Sequence, residues 1–340
     1  MLSTLIDKYK DLKKKRLLAQ ITGHTKQYAF VGVGNHSISN LYPIIDFLGV
    51  PLKYICTKTP ENARLMAKKY RCEGTHDYQK VLTDPTIDGI FISTAPSVHF
   101  TLVKQALKAG KNIFVEKPPC LSKSELEELI ELQGKSKVVV GLQKRYSKVY
   151  QTIKSTAKNA SSYNYKYLTG AYPEGDAIWD LFIHPLDIAI YLFGKITHIN
   201  CLSNKETSFI QLTHTNNIIG TIELSTAYTW DSAKEEIIVN TPKGTFESTS
   251  CFDLTFTPKS SVLLGVPVEK VMKNTPSKQL LIHNNGFVPT MDFNSLNIQG
   301  YADEINTFVS LNEGKNANNL SDLKDLLETY KLIELVKSSL

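Results

Sequence analysis

The chain has 340 residues, 42% of them hydrophobic and 21% charged, with a formal net charge of +6. That length has room for two domains and a sizeable core, and the composition is ordinary for a globular protein. No apolar run approaches the roughly 18 residues that cross a bilayer. The five cysteines are scattered and lack CxxC spacing, which argues against a disulfide framework or zinc site and for a reducing, cytoplasmic setting.

Residues 1–27 read as a basic helical extension. Residues 1–26 hold seven Lys or Arg against Asp7 and Asp11, so nearly all of the net charge sits there. Asp and Lys interrupt any apolar stretch, unlike a secretory signal. Leu2, Ile6 (or Leu5), Tyr9 and Leu12 recur at helical spacing, the pattern of a leading helix packed on the body or on a neighbouring subunit. Membrane and nucleic acid are not expected partners, because nothing else in the chain supports them.

From 28 to 145 short apolar runs alternate with helical patterns, as in a doubly wound parallel sheet. The run 28–31 suits a buried strand. Gly32-Val33-Gly34-Asn35-His36-Ser37 then forms a tight turn, and Ile38, Leu41, Ile44, Ile45 and Leu48 continue it as a helix. Strand, Gly-x-Gly turn and helix in that order make a phosphate cradle. The first glycine permits the turn, the second lets backbone approach a pyrophosphate, and the helix start offers N–H groups to the anion. Ser37 stands where the third glycine of the pattern would be.

A second strand, 52–56, ends at Thr57-Lys58, and Thr59 with Pro60 can start a helix. A carboxylate at that strand end would suit the ribose diol of NAD, whereas a small polar residue and a cation favour the 2′-phosphate of NADP. Next come a strand over 88–94, a helix over 100–109 stopped by Gly110, and a strand over 112–115 leading into Glu116-Lys117-Pro118-Pro119. A helix over 122–133 has Ser122 and Glu125 as a capping box, and a last strand covers 138–141. Lys117 therefore lies at the ligand-binding end of a parallel strand, where burial and a cationic ring can tune its proton affinity.

The texture changes in the region 146–340. A linking helix leads to a strand at 163–169 and a helix over 177–193 closed by Gly194. Asp180 and His184, four apart, share a face of that helix, and a carboxylate-steered His can shuttle a hydroxyl proton. Strand-like runs follow at 196–202, 209–215, 218–228, 235–240 and 244–248, with closing helices over 301–311 and 321–336. The fold class is α/β: a Rossmann domain followed by an α+β domain with a largely antiparallel sheet.

With these residues the chain resembles the Gfo/Idh/MocA family of NAD(P)-dependent sugar and inositol oxidoreductases. The motifs are Gly32-x-Gly34, Thr75-His76-Asp77-Tyr78, Asp84-Pro85-Thr86-Ile87-Asp88, Thr94-Ala95-Pro96-Ser97-Val98-His99, Glu116-Lys117-Pro118-Pro119, Gly141–Arg145, and Gly175 to His184 with Asp187 and Tyr191-Leu192-Phe193-Gly194. The resemblance implies an active site between the domains and an open-faced sheet used for oligomerisation, as dimer or tetramer. Lys117, Asp180 and His184 fall on the family's catalytic Lys, Asp and His. Gly32, Gly34, Asn35, His36, Ser37, Thr57, Lys58, Thr94, Ala95, His99, Glu116 and Lys117 would surround NADP, or NAD. Arg145 and Trp179 would touch a sugar or polyol, and no metal is implied.

The implied activity is hydride transfer between nicotinamide and a carbinol or carbonyl carbon of a sugar, polyol or nucleotide-linked sugar. A cofactor-binding sensor without turnover and an NAD-using glycoside hydrolase are the rival readings. Besides Ser37, the chain departs from the family pattern at Ala95 (usually Pro), Phe182 (often Gly) and Asp176 (the second Gly before the helix). The links at 146–163 and 169–175 are short.

Overall fold

Runs of Tyr, Phe, Val and Ile buried on both faces build the first sheet, as parallel strands require. A computed structural model describes residues 2–272, 277–284, 287 and 294–339. After α1 (Leu2–Thr22) the strands are β1 (Gln27–Val31), β2 (Leu52–Cys56), β3 (Glu73–Thr75), β4 (Ile87–Ile92), β5 (Asn112–Glu116) and β6 (Val138–Gly141). They form a six-stranded parallel sheet in the order β3-β2-β1-β4-β5-β6. Between them run α2 (Tyr42–Phe47), α3 (Pro60–Tyr70), α4 (Tyr78–Thr83), α5 (Pro96–Lys108) and α6 (Lys123–Gln133).

The capping box at α6 forms as expected, with Ser122 Oγ accepting from the Glu125 amide at 3.2 Å. β3 and α4 escaped the sequence reading. Glu-Gly-Thr is no apolar run, and α4 is fixed by Asp77, which accepts from the amides of Gln79 and Lys80.

This unit comprises residues 1–141 and 301–324, and the second comprises 142–300 and 325–340. The return of the chain to the first unit has a local cause. Ser321 exchanges two hydrogen bonds with Val140 (2.9 and 2.7 Å), and Asn319 Nδ2 donates to the Val138 carbonyl (2.7 Å). These residues cover the exposed edge of β6.

The apolar stripe of α1 is not covered by the rest of the chain among the described residues. Leu5, Ile6, Tyr9 and Leu12 are all exposed, and the side chain of Leu2 lies outside the described residues. No helix among the described residues is long and apolar enough to cross a membrane.

The second unit holds α7 (Lys148–Thr156), β7 (Ser162–Leu168), α8 (Ile183–Phe193), β8 (Ile196–Ser203), β9 (Thr207–His214), β10 (Ile219–Ser225), β11 (Lys234–Thr241), β12 (Gly244–Thr249), β13 (Asp253–Pro258), the hairpin β14 (Val262–Leu263) and β15 (Val266–Pro267), β16 (Gln279–His283) and α9 (Ser295–Ile298). An eight-stranded sheet runs β16-β13-β12-β11-β7-β10-β9-β8. It is antiparallel except where β7 and β10 run together. Along β7, Tyr163 and Tyr165 are buried while Asn164 and Lys166 are exposed, the period-two pattern of a sheet with one covered face. α10 (Tyr301–Asn312) belongs to the first unit, and α11 (Leu327–Lys337) packs on α8 and β8 in the second.

Two expected helices begin differently from their sequence reading. Residues Ser37–Leu41 and Ile178–Phe182 form wide π-type turns that lead into α2 and α8. Both wide turns coincide with motif segments, where such irregularities concentrate.

Candidate functional site

In the first sheet the strand order reverses between β1 and β4, and the crevice above their C-terminal ends is where open α/β sheets take ligands. The turn after β1 and the loop after β4 lie side by side there. The Gly32 amide donates to the Cys56 carbonyl (2.8 Å), the Ser93 amide donates to Val31 (2.9 Å), and the Tyr42 hydroxyl donates to the Gly32 carbonyl (3.0 Å). Gly32 has φ +115°, and a Cβ there would stand 1.9 Å from the Ser93 carbonyl oxygen, so glycine is obligatory.

A Cβ on Gly34, by contrast, would meet no atom within 4 Å. The second glycine therefore faces open space, the form of a cradle that a side chain would partly fill. Ser37 is fully buried, and its Oγ accepts from the Gly34 amide and donates to the Gly34 carbonyl, both at 2.9 Å. It knots the turn from within. Asn35 and His36 are exposed on the turn.

The loop over 94–99 is tied to the end of β5 by one imidazole. The Thr94 amide donates to His99 Nε2 (3.2 Å), and His99 Nδ1 lies 2.8 Å from the Pro118 carbonyl. A carbonyl only accepts and an amide only donates, so His99 carries its proton on Nδ1. Burial, against the Pro118 bond and the Glu116 charge, lowers its pKa and keeps it neutral. His99 is thus a brace between the loop and the Lys117-Pro118 peptide, which is cis. Ala95 is exposed ahead of Pro96 at the start of α5.

Thr94 Oγ1 is buried with no hydrogen-bond partner among the described residues. An orphaned hydroxyl beside an open glycine cradle fits a dinucleotide.

Glu116 ends β5 almost completely buried, with Oε1 3.2 Å from His36 Nε2 and Oε2 accepting from the Lys117 amide at 3.2 Å. Burial pushes its pKa up, but His36, then Lys117 and His99, outweigh that and hold the carboxyl below the usual range. Lys117 itself is half-buried. At the end of β2, Thr57 is half-buried and Lys58 exposed, and Lys58 makes no ion pair among the described residues.

In the second unit Asp180 lies in the wide turn and His184, 7% exposed, opens α8. The Tyr172 hydroxyl donates to Asp180 Oδ2 (3.3 Å), and a Cβ on Gly175 would come within 2.2 Å of that oxygen. Gly175 is needed for the loop to lie against the carboxylate. Asp176, a departure from the family pattern, caps the turn by accepting from the Ile178 amide (2.9 Å) and pairs with Lys337 (2.7 Å). Phe182 is buried edge-on to Tyr167.

Arg145 and Trp179, expected at a substrate, are turned into the packing of this unit. Trp179 is 4% exposed, its ring 5.0 Å from that of Tyr330 on α11. The Arg145 guanidinium grips Asp187 through two bonds, one of 2.8 Å, and Thr329 Oγ1 donates to Asp187 Oδ1 at 2.9 Å. A helix-face pattern does not reveal whether an Arg–Asp pair faces solvent or core. Arg145→Ala would strand the Asp187 carboxylate, and a loss of about 3–5 kcal/mol in unfolding free energy is expected in urea titrations. A loss under about 1 kcal/mol would mean that the pair is solvated.

The sequence also missed a buried cluster. Lys144 pairs with Glu235, while the hydroxyls of Tyr150 and Tyr165 donate to Glu235 Oε1 (2.7 and 2.6 Å). A Lys next to an Arg in a short helical turn carried no signal of burial. Among the described residues, no group of three or more His, Cys, Asp or Glu is placed to hold a metal ion.

Residues 26–144 match the model of an oxidoreductase family with an NAD-binding Rossmann fold, GFO_IDH_MocA. The oxidoreductase YrbE of Bacillus subtilis is 30% identical over 178 residues, 44% of this chain and 52% of that protein. The scyllo-inositol 2-dehydrogenase (NAD(+)) of Bacillus subtilis is 32% identical over 166 residues, 44% of this chain and 48% of that protein. The matched stretch thus spans about half the length of these relatives. Among solved structures, a dehydrogenase (MviM) from Clostridium difficile superposes with a TM-score of 0.77 at 18% identity, covering 93% of this chain and all of the other, a likeness of fold.

Proposed function

We propose that the chain, whose residues 26–144 match the Gfo/Idh/MocA oxidoreductase model, is a member of that family and an NAD(P)-dependent dehydrogenase or reductase of a sugar, polyol or nucleotide-linked sugar. The observation that carries this reading is the switch-point crevice of the first sheet. An obligatory glycine, an open glycine and an unpartnered Thr94 hydroxyl border the end of β5, which delivers Glu116 and Lys117. Gly34, Asn35 and His36 receive the pyrophosphate, Ser37 and His99 hold the turn and loop in shape, and Glu116 serves the nicotinamide ribose. Lys58, exposed with no carboxylate at the strand end, favours the 2′-phosphate of NADP over the NAD ribose.

When bound, the nicotinamide supplies hydride exchange at a carbinol carbon. His184 takes the substrate hydroxyl proton in the oxidation direction, with Asp180 fixing its orientation. Lys117, which falls on the family's catalytic Lys, donates a hydrogen bond to a substrate oxygen.

Titration of the protein with NADPH and NADH, read by nicotinamide fluorescence, tests the cofactor. Absorbance of the nicotinamide band over a sugar and polyol panel then tests the reaction. Tighter NADPH binding and a redox change with one substrate are expected. Binding without any turnover would favour a sensor, release of free sugar without net redox change would favour a glycoside hydrolase, and no binding would end the reading.

The same reading extends to assembly and place. The uncovered face of the second sheet carries Leu202 opposite Phe209, with Ile219 and Ile238 also exposed, which supports a homo-oligomer formed through that sheet. Phe209→Asp is expected to reduce the light-scattering mass to that of one chain; an unchanged multiple would move the interface elsewhere. The described cysteines are all free, three of them buried, in keeping with a cytoplasmic location.

A further inference from the structure

Glu304 lies on α10, 0% exposed, and neither of its carboxyl oxygens finds a hydrogen-bond partner among the described residues. Glu116 Oε1 is also buried and lies 3.2 Å from His36 Nε2, outside hydrogen-bond geometry. α10 packs across β5, β6 and α2. Tyr301, one turn before Glu304 on the same helix face, has its ring 5.9 Å from that of His36, which in turn reaches Glu116 Oε1. The Glu116 carboxyl itself lies over Gly141, its partner on β6, where a Cβ would come within 2.9 Å of the carboxyl carbon. α10, the turn and the strand end thus keep both acids away from water, with the Glu116 charge within electrostatic reach of Glu304.

Two carboxylates in one dry site cannot both ionise, and an unpaired buried charge is costly. The groups facing Glu116 are His36, Lys117 and His99, and the charged group facing Glu304 is Glu116. Of the other elements on α10, β6 has no titratable side chain. α2 offers only Tyr42, whose hydroxyl is spent on Gly32, and the exposed Asp46. Burial, then the Glu116 charge, raises the Glu304 pKa far above the carboxylate range, while Glu116 stays below it.

We propose that Glu304 is a positioning residue of the cofactor site, an un-ionised carboxyl group whose O–H donates to Glu116 Oε1 and holds that carboxylate toward His36 and the glycine turn. The proton stays on Glu304 and the charge on Glu116, so the pair carries one negative charge. The part of this inference that concerns cofactor binding rests on the dinucleotide reading above. Loss of the proton would put a second negative charge beside the phosphate-binding turn and weaken nucleotide binding.

Glutamine at 304 keeps a donor and never ionises, so Glu304→Gln separates the proton from the packing. In the wild type the folded chain holds a proton that the unfolded chain releases above about pH 4.5, so stability falls as pH rises from there toward the folded pKa. In the absence of nucleotide, the melting temperature of E304Q minus that of wild type is expected to widen steadily from about pH 5 to about pH 8. A difference that stays constant with pH would overturn the proposal.

An infrared band of an un-ionised carboxyl at about pH 8, lost in E304Q, is the matching expectation, and its absence from the wild type would overturn the proposal even if E304Q did not fold. NADPH titrations complete the test. Glu304→Ala is expected to weaken binding about tenfold and E304Q to restore it, with the high-pH loss of affinity removed. Equal weakening by both variants at every pH would count against positioning through Glu116. Failure of the wild type to bind either nucleotide would remove the dinucleotide reading, while the melting series still decides the shared proton.

Discussion

Lys117→Ala and His184→Ala are each expected to lower kcat by about 10²–10⁴-fold, with the NADPH dissociation constant moved by no more than about threefold. The split follows from the roles proposed for the two groups. A positioned acid or base acts on a proton that is in flight only in the transition state, so its removal lowers kcat and kcat/KM together and leaves ground-state binding nearly intact. For Lys117 the binding surface should survive the substitution. The His36 contact and Oε2–amide bond of Glu116, and the His99 brace, hold the end of β5 without the Lys117 side chain. His184 is a buried residue at the first turn of α8, so melting curves must accompany its kinetics.

The measurement is steady-state kinetics on the substrate found in the panel, with nucleotide fluorescence in parallel. Near-wild-type turnover in either variant would remove that residue from the chemistry. Asp180→Asn should cost less than His184→Ala, because it removes the orienting carboxylate and leaves the imidazole. A pH profile then separates the two remaining roles. If His184 is the base, the acidic limb of kcat/KM should disappear in His184→Ala; if Lys117 is, it should disappear in Lys117→Ala.

The first sheet was legible in the sequence because buried parallel strands are continuous apolar runs, and those at 28–31, 52–56, 88–94, 112–115 and 138–141 all lie on or next to observed strands. The turn motif was legible because Gly32 is required by backbone geometry alone. Three things were not. The wide turns at Ser37–Leu41 and Ile178–Phe182 keep a helical hydrophobic pattern, so periodicity cannot tell them from α-helix. The inward course of Arg145 and Trp179 depends on partners 42 and 151 residues away, Asp187 and Tyr330.

The role of α10 was hidden for the same reason. Its residues 301–311 read as an ordinary amphipathic helix of the second region, whereas Phe308 packs among Tyr28, Phe91 and Phe114 of the first sheet. That placement also concealed Glu304, which the fold buries completely on α10.

Gly32→Ala and Gly34→Ala are expected to fail in opposite ways, and the contrast tests the cradle more directly than loss of activity could. At Gly32 the added methyl would lie 1.9 Å from the Ser93 oxygen, on a backbone at φ +115° that L-residues rarely adopt. Neither side can yield easily. Ser93 is pinned by its amide to Val31, and Gly32 by its amide to Cys56 and its carbonyl to the Tyr42 hydroxyl. Backbone strain alone costs about 1–3 kcal/mol, and the overlap adds to it. The melting temperature should fall by roughly 4 °C for about 3 kcal/mol, at about 2.1 cal/mol/K of unfolding entropy per residue over 340 residues, before any ligand is added.

At Gly34 the methyl meets nothing, and the backbone is not in the left-handed region, so the same substitution should leave the melting temperature unchanged or slightly raised. It would instead project into the space proposed for the pyrophosphate, and the NADPH dissociation constant should rise at least about tenfold, the equivalent of about 1.4 kcal/mol. Unaltered nucleotide affinity in Gly34→Ala would mean that this turn is not the phosphate site. Wild-type melting in Gly32→Ala would mean that the turn can relax, and the steric account of why glycine stands there would be wrong. If each variant fails as described, the first glycine holds the fold and the second admits the ligand.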